Sequence, residues 1–360
     1  MIPFIDLKAQ YEILQSNIQQ RINNVLDHGQ YILGPEVEEL EEKLANFTGA
    51  KHCIAVSSGT DALLISLMAL NVQPGDEVIT TPFTFVATAE VIALLGAKPV
   101  FVDIEPDTCN INVSKIEAAI TLNTKAIIPV SLYGQPADMK EINIIANKFG
   151  IRVIEDAAQS FGAIYQGKKS CNLSTIGCTS FFPSKPLGCY GDGGAIFTNN
   201  DDIAKIAKEL RVHGQSQRYI HTRIGIGGRL DTIQAAVLLA KLEQFYWEID
   251  QRVVIGERYN AMLDSIGVSR VQQRADRSSM YAQYTVLIND RDSIQEKLKN
   301  EGIPTAVHYP LPLNSQEAYK HYCCPGCTPV ADELANCVMS LPMHPYLSEQ
   351  HQDIITQALA

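Results

Sequence analysis

Positive charge is the first thing this 360-residue sequence is short of: 29 Lys and Arg stand against 40 Asp and Glu, a formal net charge of −11. A nucleic-acid partner would call for a basic face, so that class is excluded. An anionic small molecule stays open if local cations or helix N-termini hold it. No apolar run nears the roughly 20 residues of a bilayer span, so no membrane partner is expected. The opening Met1-Ile2-Pro3-Phe4-Ile5-Asp6 has no basic region followed by an apolar one. No secretory signal is read there, and a cytoplasmic protein is expected. Repeats and low-complexity segments are missing too. None of the eight histidines stands in a metal-ligand spacing such as H-E-x-x-H, so no catalytic metal is expected. Gly191-Asp192-Gly193-Gly194 and Gly225-Ile226-Gly227-Gly228 begin like dinucleotide loops. Neither completes G-x-G-x-x-G, because Ile196 and Leu230 stand where the last glycine belongs.

The nine cysteines are odd in number and irregularly spaced. In a reducing compartment such residues serve mostly as small core side chains. Cys323-Cys324-Pro325-Gly326-Cys327 contains one C-x-x-C. A structural zinc site needs a second pair of ligands, for which only His321 is near, so a turn is expected.

What is present is a globular composition, 46% hydrophobic and 19% charged, in a chain long enough for two domains. Residues 10–28 are predicted to form an amphipathic helix ending at Gly29, and a second helix follows Pro35. From residue 50 to about 200, short apolar runs at 53–56, 77–80, 99–102, 126–130 and 152–155 alternate with helical patterns at 60–71, 86–95, 114–120 and 138–149. That texture predicts an α/β fold with a mostly parallel central sheet flanked by helices. In such sheets ligands bind beyond the carboxyl ends of the strands. Residues 201–212 and 231–247 read as helices. A smaller α+β unit follows, with a strand at 281–288 and helices at 291–301 and near 330–338. The predicted division is a large domain over 1–245 and a small one over 246–360.

Three stretches could carry chemistry. Lys185 lies in the apolar, glycine-flanked Thr179–Gly188 segment. Burying its ammonium is costly unless it is paired or neutralised. A neutral lysine is a nucleophile able to form a Schiff base with an aldehyde; the alternative is a solvated loop lysine. Ser57-Ser58-Gly59-Thr60-Asp61 follows a strand and opens a helix, which suits either an anion cradle or an ordinary N-cap. Asp156, in Glu155-Asp156-Ala157-Ala158-Gln159-Ser160, ends a strand and either caps a helix or pairs with a cation such as a protonated pyridine nitrogen.

Together these motifs resemble the nucleotide-sugar aminotransferases of the DegT group, which have the fold-type I pyridoxal-phosphate architecture. The resemblance runs along nearly the whole chain. It rests on Gly29–Pro35, Ser57–Leu63, Pro82–Thr88, Glu155–Ser160, Ser180–Lys185, Arg211–Gly214 and Arg229–Asp231. Within the group the chain looks most like enzymes that aminate UDP-2-acetamido-2-deoxy-3-oxo-glucuronate. Pro183–Gly194 and Thr305–Pro310 carry that likeness. The resemblance implies that Lys185 holds pyridoxal 5′-phosphate and shuttles a proton. It implies that Asp156 pairs with the ring nitrogen, Phe85 stacks on the ring, Gln159 packs beside it, and Gly59, Thr60 and Ser180 hold the phosphate. Gly29, Tyr31, Ser184, Arg229, His308 and Tyr309 become candidates for the UDP-sugar. L-Glutamate, leaving as 2-oxoglutarate, is the implied donor, a homodimer with shared sites the implied assembly, and O-antigen or other surface-polysaccharide sugar biosynthesis the implied setting.

One position departs from the family. An asparagine usually stands two residues before the arginine matching Arg229, reaching the partner subunit's cofactor phosphate; here that residue is Gly227. Weaker cofactor retention is expected from the loss. Three other readings are weighed: an aminotransferase acting on 4-keto-6-deoxy sugars, a dehydratase of the same fold, and a non-catalytic sugar-binding or regulatory protein. The dehydratases replace the lysine, so Lys185 speaks against that one. Intact Lys185, Asp156 and Gln159 speak against the non-catalytic one.

Overall fold

The computed structural model describes residues 2–323 and 326–360. Its centre is a seven-stranded sheet. The strands are β1 (His52–Val56), β2 (Glu77–Thr80), β3 (Lys98–Phe101), β4 (Thr124–Ile128), β5 (Arg152–Asp156), β6 (Ile176–Ser180) and β7 (Gly194–Thr198), in the spatial order β1-β7-β6-β5-β4-β2-β3. All run parallel except β7, which pairs antiparallel with both β1 and β6. The sequence explains the parallel part. Ile54, Ile79, Ile127, Ile154, Ile176 and Ile196 are fully buried, as expected of strands covered on both faces. Truncating one of them, Ile154→Ala for example, is expected to cost about 2–5 kcal/mol.

Helices cover the sheet. Helix α1 (Leu7–His28) ends at Gly29, whose φ of 71° closes the cap with an N–H···O bond to the Val25 carbonyl. Helix α2 (Pro35–Thr48) has proline in its first turn, and α3 (Gly59–Ala69), α4 (Ala87–Leu94), α5 (Met139–Phe149) and α6 (Asp201–Leu210) follow the strands as predicted. One helix differs clearly from expectation. The segment predicted at 231–247 is α7, Thr232–Ser265, 34 residues long. Its first half buries Ala235, Leu238, Leu239 and Phe245 in the large core, and its second half buries Ile255, Tyr259 and Leu263 in the small one. Position 245/246 therefore lies inside a continuous helix.

The small unit packs β8 (Ser269–Arg270), β9 (Tyr284–Leu287) and β10 (Val338–Leu341) as an antiparallel sheet beside α8 (Arg291–Asn300), α9 (Pro329–Cys337) and α10 (Glu349–Leu359). The predicted strand at 281–288 is thus shorter than expected, because Tyr281, with a φ of 42°, breaks the extended run. Ile2 joins the small core although it begins the chain.

No helix among the described residues is long and apolar enough to cross a membrane. Cys53, Cys109, Cys171, Cys178 and Cys189 are buried as small core residues. Cys323 and Cys327 form a disulfide across the expected turn, a pairing the sequence reading did not anticipate. Cys324, the first cysteine of the C-x-x-C, lies outside the described residues. Among the described residues there is no cluster of three or more His, Cys, Asp or Glu that could hold a metal ion.

Candidate active site

Parallel strands deliver their following residues to one edge of the sheet. At that edge β5 ends in Asp156, β6 ends in Ser180, and β1 leads through Ser57 into α3. Ser58 caps α3, its Oγ accepting from the Asp61 N–H at 3.0 Å. The N-cap reading therefore holds for Ser58, and the cradle reading for its neighbours. The Gly59 and Thr60 N–H groups open the helix with no intrahelical partner. A Cβ on Gly59 would lie 2.7 Å from the Ser180 Cβ. Only glycine lets the helix start come this close to Ser180. Two bare N–H groups and a hydroxyl converge there, which suits a phosphate.

Asp156 is 6% exposed. Thr88 Oγ1 donates to its Oδ2 at 2.8 Å and the Ala158 N–H to its Oδ1 at 3.2 Å. Burial raises its pKa, while these two donors and Lys185 pull it back. The same pairing acts on Lys185. Burial lowers the amine's pKa and Asp156 raises it. Half-buried Lys185 is thus not the solvated loop lysine that its local sequence also allowed.

Gln159 is fixed from both ends. Its Oε1 accepts from the Tyr133 N–H at 2.8 Å, and its Nε2 donates to the Tyr309 hydroxyl at 3.3 Å. Tyr133 stands in the left-handed region, with a φ of 57°, a conformation that costs a bulky residue energy and clusters at functional sites. Its hydroxyl donates to the His308 carbonyl. His308 Nδ1 lies 3.0 Å from Ser340 Oγ. Burial and the nearby Lys185 charge both lower the His308 pKa. Burial, helped by Asp156, raises that of Tyr309. His308 and Tyr309, on the small unit, thus meet Lys185, Asp156 and Gln159 of the large one. Phe85, just before α4, is 56% exposed, an unusual state for a large apolar ring and one that leaves a face for a flat partner.

The other candidates are placed differently. Arg229 bridges to Val56, and the Ser57 N–H donates to the Gly228 carbonyl at 3.0 Å, so this segment lies beside the cradle strand. Ile32 bridges to Asp231, and the Thr232 N–H donates to the Tyr31 carbonyl at 2.9 Å. Gly29 and Tyr31 are exposed, and Arg229 is half-buried. Among the described residues none of them is hydrogen-bonded to Lys185, Asp156 or Gln159. Ser184 is half-buried beside Lys185 in the chain. Gly227 is exposed, and a Cβ there would lie 3.1 Å from the His213 ring.

Sequence reasoning missed Thr88 and Tyr133. Thr88 stood within the Pro82–Thr88 motif, at the start of a helix following a strand, where the crevice was already expected. Tyr133 carried no such signal, since a left-handed tyrosine is set by tertiary contacts.

These residues fit pyridoxal 5′-phosphate. A cradle that a single Cβ would fill receives the phosphate. A buried carboxylate faced by Lys185 receives a protonated ring nitrogen, and a bare aromatic face receives the ring.

The family model described as the DegT/DnrJ/EryC1/StrS aminotransferase family matches residues 12–360. The chain is 59% identical over 359 residues to the UDP-2-acetamido-2-deoxy-3-oxo-D-glucuronate aminotransferase of Pseudomonas aeruginosa, covering 100% of this chain and 99% of that protein. Its fold matches the crystal structure of a DegT DnrJ EryC1 StrS aminotransferase from Brucella abortus with a TM-score of 0.97 and 46% identity, over 100% of this chain and 98% of the other. It also matches NtdA from Bacillus subtilis with bound cofactor PMP, with a TM-score of 0.91 and 31% identity, over 96% and 81% of the two chains.

Proposed function

The chain belongs to the DegT/DnrJ/EryC1/StrS aminotransferase family, and on that premise we propose that it moves an amino group from L-glutamate to the 3-keto group of a UDP-linked N-acetyl hexuronate. The observation that carries the substrate is the full-length identity of 59% to a 3-oxo-glucuronate aminotransferase. The reaction itself is supported by the meeting of Lys185 and Asp156 above the cradle.

Bound there, pyridoxal 5′-phosphate supplies the electron sink that a carbanion next to nitrogen requires. Everything else falls to the protein. Lys185, its charge disfavoured by burial, removes the proton from the donor carbon and returns one to the acceptor carbon. Asp156 keeps the proton on the ring nitrogen. Thr88 and Ala158 favour the ionised form of Asp156 against its burial and aim the carboxylate. Gly59, Thr60 and Ser180 would anchor the phosphate, and Phe85 would pack on the ring. Gln159, locked between Tyr133 and Tyr309, would pack beside it.

Arg229 is the residue for the uronate carboxylate or the diphosphate, since its planar fork pairs with either in bidentate fashion. Gly29, Tyr31, Ser184, His308 and Tyr309 complete the sugar site. Among the described residues, Gly29, Tyr31 and Arg229 make no hydrogen bond with Lys185, Asp156 or Gln159 of their own chain. A homodimer in which these residues serve the partner's centre accounts for this. The setting is the cytoplasm, and the product feeds O-antigen or related surface-polysaccharide sugars.

The deciding experiment is an amine-transfer assay with the UDP-linked 3-keto uronate and with 4-keto-6-deoxy nucleotide sugars, glutamate being the donor. Preference for the uronate is expected. Preference for the 4-keto sugars would overturn the substrate and leave the chemistry standing. A colourless protein that does not consume glutamate would overturn the enzyme reading in favour of a binding or regulatory role.

A further inference from the structure

A second polar cluster borders Lys185 and has no part in the site above. The N-terminal segment, α7 and the 343–346 turn meet there around a small cavity lined by Asp6, Gln10, Lys185, Arg252, His344 and Tyr346. The Met343 N–H donates to the Phe4 carbonyl at 3.2 Å and fastens the segment before α1 to the turn. Gln10 Nε2 and the Tyr346 hydroxyl both donate to Glu248 Oε1 at 2.7 Å. Arg252 Nη1 donates to the Tyr281 carbonyl at 3.2 Å.

The cluster is incompletely bonded. His344 is 2% exposed, Arg252 4% and Gln10 8%. Yet both ring nitrogens of His344, Arg252 Nε and Gln10 Oε1 have no hydrogen-bond partner. The Pro3 carbonyl approaches His344 without forming a well-shaped bond. Burial holds the His344 pKa down to about 4, so the neutral ring offers one donor and one acceptor. Buried polar groups of this kind are nearly always satisfied, by ordered water when protein atoms fail. Charges nearby balance, with Arg252 facing Glu248, so the pocket calls for a neutral guest rather than an ion. Its free space of about 10 Å³ for water centres holds about one water.

We propose that this cavity binds a water that bridges Gln10 Oε1, Arg252 Nε and His344, and that through it these three act as positioning residues for Lys185. Lys185 and Pro186 form one wall of the cavity, so the water sits against the segment that carries the reacting amine. Asp156 and His308 also face Lys185, and Asp6, Glu248, Tyr346 and His351 are the other titratable groups near the cavity. A water dipole at this wall favours the charged amine and opposes its desolvation. The inference rests on Lys185 being the amine that works in transfer.

A high-resolution crystal structure of the protein as purified is expected to show one ordered water within about 3.2 Å of His344 and Arg252 Nε. In the cofactor-loaded enzyme, His344→Leu is expected to move the pH midpoint of the visible absorbance down by about half a pH unit or more. It should also cut kcat about threefold to tenfold, at unchanged KM for both substrates. His344→Gln, which keeps a donor and an acceptor, should restore both. Gln10→Leu tests the same cavity should His344→Leu not fold. A dry cavity in the wild type overturns the proposal, as does an absorbance titration of the leucine variants that superimposes on the wild type. The crystallographic arm needs neither colour nor sugar, so it reads out even if the proposed function fails.

Discussion

Thr88 Oγ1 donates a 2.8 Å hydrogen bond to Asp156 Oδ2, joining the first turn of α4 to the end of β5. Asp156 is buried, and the bond is one of the few things opposing its protonation. Thr88→Val keeps the shape and deletes the donor. The Asp156 pKa then rises further, and the acid limb of kcat/KM moves to higher pH. At neutral pH a loss of about tenfold is expected, the size of a hydrogen bond to a charged group. A pH–rate profile with an unshifted acid limb would contradict this role.

Lys185→Ala removes the group that carries the proton. Turnover is expected to fall by at least about 10²–10⁴, the usual scale for acid–base catalysis. Cofactor is expected to remain bound through the cradle and Asp156. Near-normal turnover would refute the assignment of Lys185.

Gly59→Ala places a Cβ 2.7 Å from the Ser180 Cβ. Overpacking of this kind costs about 1–3 kcal/mol, and the opened cradle should release cofactor. Combining it with Ser180→Gly leaves only a 3.2 Å approach to the Cα and should recover part of the thermal stability without recovering cofactor affinity. Thermal melts and equilibrium dialysis separate the two effects.

Glu155 lies next to Asp156 but points elsewhere, accepting from Ser131, Ser170 and the Cys171 N–H. Burial pushes it up to about 7 from its ordinary 4.5. The folded protein therefore holds a proton that the unfolded chain releases. Unfolding sheds that proton between about pH 4.5 and 7, so this group's contribution to stability falls as pH rises through that window. Glu155→Gln should flatten that slope, since the serine hydroxyls can turn to accept from the amide. Melts of both proteins from about pH 5 to 8 check the sign.

Gly227→Asn supplies the side chain that the family resemblance leads one to expect there, and tighter cofactor retention, by about threefold to tenfold, is expected. The new Cβ would lie 3.1 Å from the His213 ring, so that ring must shift by a few tenths of an ångström. Equal cofactor dissociation constants for the two proteins would remove Gly227 as a cause of weak retention.

Much of this was legible in the sequence because the relevant patterns are local. The buried strands of a parallel sheet read as continuous apolar runs, and β2 was found to the residue. Gly29 was read as the end of α1 because a left-handed cap favours glycine. Lys185 and Asp156 stand out through motif order, and the fold places them beside each other. What stayed hidden depends on contacts far apart in sequence. β6 and β7 were not read as strands, since Gly177 and Gly194 break their apolar runs; a Cβ at Gly194 would lie 2.4 Å from the Ser58 carbonyl, so the sheet edge needs that glycine. The end of α7 was placed too early. Past residue 247 its buried face turns from one core to another, and charged Asp250, Arg252 and Glu257 mask the period. The orphaned polar atoms around His344 have no sequence signature at all.

That long helix has a mechanical meaning. Most two-lobed enzymes close over substrate by flexing a loop, but here the lobes share a 34-residue shaft, with Phe245 sunk in one core and Tyr259 in the other. Swinging the lobes apart would bend the shaft and pull a large aromatic ring out of its packing. His308 and Tyr309 are therefore held over Lys185 before any substrate arrives. The exposed Phe85 ring stands at the edge of that preset centre.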